Sequence, residues 1–226
     1  MSSDVVLLAR VRKLLEAIDA EAPGNNGAEL VTNQQLELLV AQGSVANEET
    51  VRAGRAFYVN TTTAVASVVA LPTTAVSLAL YNNEPDGGKS GIIDWVAAIN
   101  IVAGAATGTS EIIANLGQVR ETPPTDAALA IKKAHGMGPG KDSRMLTIVG
   151  GTALPAATGI AAQWFPLGSA VGKTGAVAVG VSIFIPVDGR FIVPPGRYFA
   201  LHTFSDIVTD TFQVFVGWHE KQITLG

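Results

Sequence analysis

The chain has 226 residues, 48% hydrophobic and 15% charged, with a net charge of −4 and no cysteine. That length suits one sizeable domain with an appendage, and the acidic balance argues against a general nucleic-acid binder, which needs clustered Lys and Arg to neutralise phosphates. The lack of Cys removes disulfides and thiolate metal sites.

Met1–Leu15 does not read as a secretory signal, because Arg10, Arg12 and Lys13 interrupt its apolar run. No run of about 20 apolar residues offers a membrane helix. Instead, Leu7, Val11, Leu14, Leu15 and Ile18 fall on one stripe, which predicts an amphipathic helix over about 4–20 with Ser3 or Asp4 as its cap. Glu21–Leu30, rich in Gly, Asn and Pro, reads as a tether. Thr32 and Gln35 have capping-box spacing ahead of a short helix carrying Leu36, Leu39 and Val40, which Gly43 stops. Residues 1–50 are therefore expected to form a helical N-terminal arm and linker, with these eight apolar residues as its assembly interface. Such short helices need something to pack against.

From Arg55 the period changes to two, the signature of strands. Arg55–Asn60, Ala64–Leu71 and Ala75–Asn82 read as strands, the last with Val76, Leu78 and Leu80 on one face. After a polar loop, Asn83–Gly91, comes the longest alternating run, Ile92–Val102. It predicts a central strand with Ile93, Trp95, Ala97, Ile99 and Ile101 on one face. Glu111–Val119, Arg144–Val149, Gly159–Trp164 and Gly175–Pro186 supply further strands, while Ala127–Ala134 stays open between helix and strand. Pro194-Pro195-Gly196 forms a turn, since Pro fixes φ and Gly accepts a positive φ. Arg197–Phe204 and Thr211–Glu220 are expected to pair as a terminal antiparallel hairpin through Ser205–Asp210. The 24 glycines and 11 prolines, the short connections and the lack of a βαβ rhythm predict an all-β sandwich or barrel over 51–226. Its apolar excess suggests burial between subunits.

No motif assigns chemistry. Gly168–Thr174 (GSAVGKT) has three residues between its glycines where a phosphate loop needs four, and a strand pattern follows where a helix is required. Asn82–Asp86 looks like a calcium loop but carries Pro85 and has Ile93 where a bidentate Glu belongs. His202 and His219, on the two arms of the expected hairpin, lack a third ligand, because Glu220 leaves the strand on the other face. No G-x-S-x-G elbow is present. No catalytic, cofactor-binding or metal-binding residues are assigned, and an enzyme is not expected. The six Trp and Tyr residues read either as core or as a sugar-stacking platform.

The segment VPPGRYFAL, with a last strand ending Val216-Gly217-Trp218-His219-Glu220, resembles tailed-bacteriophage jelly-roll virion proteins of the decoration, head-fibre or adaptor type. FYVN (Phe57–Asn60) and the stretch from Ser77 to Asn100 share the likeness; His219, between Trp and Glu, departs from it. The resemblance implies a mainly β, antiparallel jelly-roll-like sandwich in a non-enzymatic virion structural protein. Its partners would be sister subunits, a trimer being favoured, and other virion proteins such as capsid or fibre subunits. No cofactor, nucleic acid or membrane is implied. The alternative is a carbohydrate- or receptor-binding module, with a glycan as partner.

Overall fold

The computed structural model describes residues 48–104, 107–136, 143–150, 163–173, 181–206 and 209–223. The chain divides into two units, Met1–Ser44 and Val45–Gly226, and the first lies outside the described residues. Among the described residues a short helix, α1 (Glu48–Arg52), precedes eleven strands. These are β1 (Ala56–Asn60), β2 (Val65–Ala66), β3 (Val76–Asn82), β4 (Lys89–Val102), β5 (Gly108–Leu116), β6 (Lys132–Lys133), β7 (Met145–Gly150), β8 (Phe165–Lys173), β9 (Ser182–Val193), β10 (Tyr198–Ser205) and β11 (Thr211–Gln222).

The first sheet has the order β6-β1-β11-β4-β9, with β2 also on β11; the second has the order β7-β3-β10-β5-β8. The pairing is nested. β1 pairs with β11, β3 with β10, β4 with β9 and β5 with β8, all antiparallel. The first of these eight main strands thus meets the last, the second meets the seventh, and so inward. A long antiparallel ribbon has been rolled so that successive strand pairs fall in alternate sheets, which is the jelly roll. The fold is mainly β, an antiparallel jelly-roll sandwich.

Two apolar layers hold it. Between the sheets lie Phe57, Leu78, Leu80, Ile93, Ile112, Phe199, Leu201, Phe212 and Trp218 with their neighbours. The far face of the second sheet carries a smaller cluster of Ala79, Tyr81, Ile113, Ile148, Tyr198 and Ala200 under Trp164, whose indole N–H donates to the Pro72 carbonyl at 2.8 Å. Every residue of β3 is buried for this reason. Each fully buried large apolar side chain contributes about 1.5–3 kcal/mol relative to exposure.

Several expectations are corrected. β10 and β11 do not form a hairpin: β10 lies between β3 and β5, β11 between β1 and β4, so the connection crosses from one sheet to the other. Two alternating strands joined by a short turn fit either arrangement, and here each takes its partners from far along the chain. Ala64–Leu71 yields only the two residues of β2 and a single bridge from Val68 to Phe204. In β3, Val76 sits with Ala79 and Tyr81 rather than with Leu78 and Leu80, because the register shifts between Val76 and Ala79. The segment with the imperfect phosphate-loop glycines lies in β8 up to Lys173, paired with β5, so it forms no helix-capping cradle. Ala127–Ala134 contributes only β6. Most of Gly159–Trp164 and the first half of Gly175–Pro186 lie outside the described residues.

β4 does lie centrally, but its faces differ from strict alternation. Asp94 has no counterpart in β11, where Gly217 meets Trp95 and Trp218 meets Ile93. This bulge slips the alternation by one residue. Ile93, Val96, Ala98 and Asn100 are therefore buried, while Trp95, Ala97 and Ile99 are partly exposed.

The Pro-Pro-Gly turn forms as expected. Gly196 has φ 76°, and Arg197 N–H donates to the Pro194 carbonyl at 3.1 Å.

Candidate assembly face

The slip in β4 turns apolar residues outward. On the outer face of the first sheet, Tyr58, Gly217, Trp95 and Pro186 stand in one lateral row and Asn60, Phe215, Ala97 and Phe184 in the next. Gln213, Ile99 and Ser182 stand close beyond them on β11, β4 and β9. Trp95 lies flat across Gly217, where any Cβ would collide with the indole. It also stacks on Phe184, with ring centroids 5.8 Å apart and planes at 29°. Phe184 itself is 60% exposed, and Ile101 and Val102 at the end of β4 are 40% and 52% exposed.

One polar pair, His219 and Asp94, lies at the bulge. The His219 Nδ1–H donates to both Asp94 oxygens, at 2.9 and 3.1 Å, with each side chain only 11% exposed. Opposite Asp94, edge strand β9 loops out through Val187–Arg190, with Asp188 and Gly189 at φ 51° and 76°. With Pro186 nearby, that bulge blunts the edge against strand addition.

The ending Trp218-His219-Glu220 is parsed by period two. Trp218 and Glu220 point inward, where the indole N–H lies 3.4 Å from Glu220 Oε1, while His219 points out to Asp94. Burial raises the Glu220 carboxyl above its ordinary range, against opposing hydrogen bonds from Ser143 and Trp218.

His202 is on the other sheet, opposite Ser77, with its Nδ1 3.2 Å from Ser77 Oγ and 3.1 Å from the Thr203 carbonyl. Trp164 stands edge-on to it at 6.5 Å. His202 and His219 therefore do not converge, contrary to the placement on one hairpin. Burial lowers His202 to about 4, against a backbone hydrogen bond that raises it. Its native pKa lies below the unfolded value of about 6.5, so the unfolded chain binds this proton first as pH falls. The stabilising contribution is complete above pH 6.5 and is lost as pH falls toward about 4, on the order of 3 kcal/mol. Urea unfolding at pH 7 and pH 4.5 is expected to show a steeper loss for the wild type than for His202→Gln; parallel losses would contradict this.

The Asn82 side chain is tied to the backbone on three sides. Its amide donates to the Lys89 and Val193 carbonyls at 2.8 and 2.9 Å, and its carbonyl oxygen accepts from Glu84 N–H at 3.0 Å. Among the described residues no group of three or more His, Asp or Glu is placed to hold a metal ion. Of the aromatics, Trp218, Tyr81, Tyr198 and Trp164 are buried, whereas Trp95 and Tyr58 stand on the outer face. The expected arm residues Leu7, Val11, Leu14, Leu15, Ile18, Leu36, Leu39 and Val40 lie outside the described residues.

The apolar outer face is the feature that sequence reading missed. Its residues were visible as β-formers, but the bulge at Asp94 decides which of them face solvent.

No protein-family model matches the chain, and no curated protein does. Among solved structures, a chain of the Israeli acute paralysis virus full particle, heated to 63 degrees, is 12% identical; the match covers 91% of this chain and 82% of that one, at a TM-score of 0.23. A likeness at that score carries no argument, and the fold assignment rests on the strand pairing.

Proposed function

We propose that the chain is a non-enzymatic structural component of a virus particle, of the decoration, cement or head-fibre type. In this reading a jelly-roll unit builds contacts with other subunits and the N-terminal segment attaches it. The observation that carries the reading is a jelly-roll sandwich whose outer sheet face sets partly exposed Trp95, Ala97, Ile99 and Phe215 around exposed Phe184, since apolar side chains grouped on a surface mark a contact site. The jelly roll serves capsid and lectin domains alike, and a fold by itself assigns no role. The resemblance of the Pro-Pro-Gly turn and the Trp218–Glu220 ending to phage virion proteins favours the particle.

The attachment residues proposed are Leu7, Val11, Leu14, Leu15, Ile18, Leu36, Leu39 and Val40. Leu14→Asp with Ile18→Asp is expected to reduce incorporation into particles at least tenfold while leaving the thermal transition of the β-unit unchanged. Normal incorporation of that variant would remove the arm's role.

A carbohydrate-binding module is the second reading, favoured by the Trp95–Phe184 stack on the outer face. A sugar packs its C–H face on an exposed aromatic ring, and Phe184, 60% exposed, is the ring a glycan would meet.

A further inference from the structure

We propose that Trp164 is an acid-released cover: protonation of His202 beneath it frees the indole and admits water to the far face of the second sheet. This device stands apart from the assembly reading.

The first observation is where His202 lies. β10 is the middle strand of its sheet, and alternation sends Tyr198, Ala200 and His202 away from the inter-sheet core. β3 and β5 flank the ring through Ser77 and Ile113, and the sheet and the core lie beneath it. Among the described residues, the outer side is covered by Trp164, edge-on at 6.5 Å with planes at 72°. The result is a histidine only 2% exposed under an indole 7% exposed. A charged ring can gain water only if that cover moves.

The second is what surrounds the ring. Nδ1 meets the Ser77 hydroxyl and the Thr203 carbonyl, and that carbonyl already accepts from Val68 N–H at 3.0 Å. Protonation makes donors of both ring nitrogens and places a charge where burial disfavours it. The titratable groups on this face do not offset it. On β10 and β3 they are Tyr198 and Tyr81, phenols that are uncharged in acid. On β5 the group is Glu111, which is partly exposed and stands opposite Phe204, one residue pair along from the His202–Ile113 pair. Residues 67–75 and Gln163 bring none.

The third is how unequally the surroundings are fastened. β10 is paired with β5 from Phe199 to Ser205 and with β3 from Tyr198 to Leu201. The indole is held by its N–H on the Pro72 carbonyl at 2.8 Å and by its packing on the small cluster. Lifting it breaks few contacts, whereas freeing β10 would dismantle the sandwich core, so the local opening is the less costly of the two. The closed form binds the proton more weakly than an open one does. Closure is therefore fully favoured above pH 6.5 and weakens as pH falls toward about 4.

The test is hydrogen exchange by NMR on the full chain at pH 7 and pH 4.5. It follows the indole N–H of Trp164, identified with Trp164→Phe, and the backbone N–H of Val214, a fully buried residue of the first sheet. With the ring titrating near 6.5 when open and near 4 when closed, Trp164 protection is expected to fall on the order of fiftyfold between the two pH values. Val214 should remain the better protected at pH 4.5, and His202→Gln should abolish the fall. Equal protection of the two sites at pH 4.5 would overturn the proposal, because acid would then be unfolding the whole sandwich. An unchanged Trp164, or a fall just as steep in His202→Gln, would overturn it as well. If the glutamine variant does not fold, the comparison of Trp164 with Val214 in the wild type still decides.

Discussion

Asp210→Ala is expected to destabilise the β-unit by about 1–3 kcal/mol, the range for leaving a buried hydrogen-bonding group without its partner. Asp210 is fully buried and ties together segments remote in sequence. One oxygen accepts from Gly104 N–H at 2.6 Å, while the other lies 3.2 Å from Ser110 Oγ and 3.1 Å from Ser205 Oγ. Its backbone carbonyl accepts from Ser67 N–H at 2.8 Å. This one residue thus fastens the β4–β5 connection, β5, β10 and the segment after β2 to the crossing between sheets. Removing the carboxylate leaves the buried Gly104 N–H without its acceptor, at a cost of about 1–3 kcal/mol, while the Ser110 hydroxyl keeps Ser205 Oγ at 3.0 Å and the Ser205 hydroxyl keeps the Thr109 carbonyl at 3.1 Å. Asp210→Asn keeps the shape, and the serine hydroxyls can accept from its amide, so a smaller loss of about 1–2 kcal/mol is expected. Urea titration measures both. A loss below 1 kcal/mol for the alanine variant would mean that the network adds nothing to stability.

Trp218→Ala is expected to cost about 3–5 kcal/mol, as large-to-small core substitutions of Trp do. The indole is 1% exposed and stacks on Phe57 at 5.8 Å. Its loss also removes the N–H beside Glu220, a carboxylate that burial already disfavours in its charged form. Trp218→Phe separates the two effects, since it retains most of the packing while deleting the donor. The alanine loss should therefore be several times larger than the phenylalanine loss at pH 7. At lower pH the phenylalanine loss should shrink further, because a raised Glu220 is then neutral and needs no donor. Equal losses for the two variants would place the energy in the hydrogen bond rather than the packing.

Much of the sandwich is legible in the sequence because strand formation depends on local alternation. Phe57 and Val59 in β1, Leu78 and Leu80 in β3 and the Pro194–Gly196 turn all follow from period two and φ preferences. Nested pairing is a different matter. That Ala56 should meet His219 and Lys89 should meet Gln222 depends on competition among many strands of similar composition, which no local pattern ranks. The expected hairpin of β10 and β11 failed for that reason.

The apolar face was hidden by a single residue. Asp94 looks like one polar position in an alternating run, yet as a bulge it reverses the facing of Trp95, Ala97 and Ile99. β8 was overlooked because Gly168 and Gly172 signal loops, although pairing with β5 holds that segment extended. Asp210 gave no signal at all, since an acidic residue in a polar turn reads as solvated until its donors, which come from Gly104, Ser110 and Ser205, are brought to it by the fold.

The most direct test of the structural role is the copy number of this chain on purified particles, measured by quantitative mass spectrometry against the major capsid subunit. The account predicts a fixed, reproducible ratio that survives gradient purification and is lost with the Leu14→Asp, Ile18→Asp chain. Particles that carry no copies of the wild-type chain would contradict it.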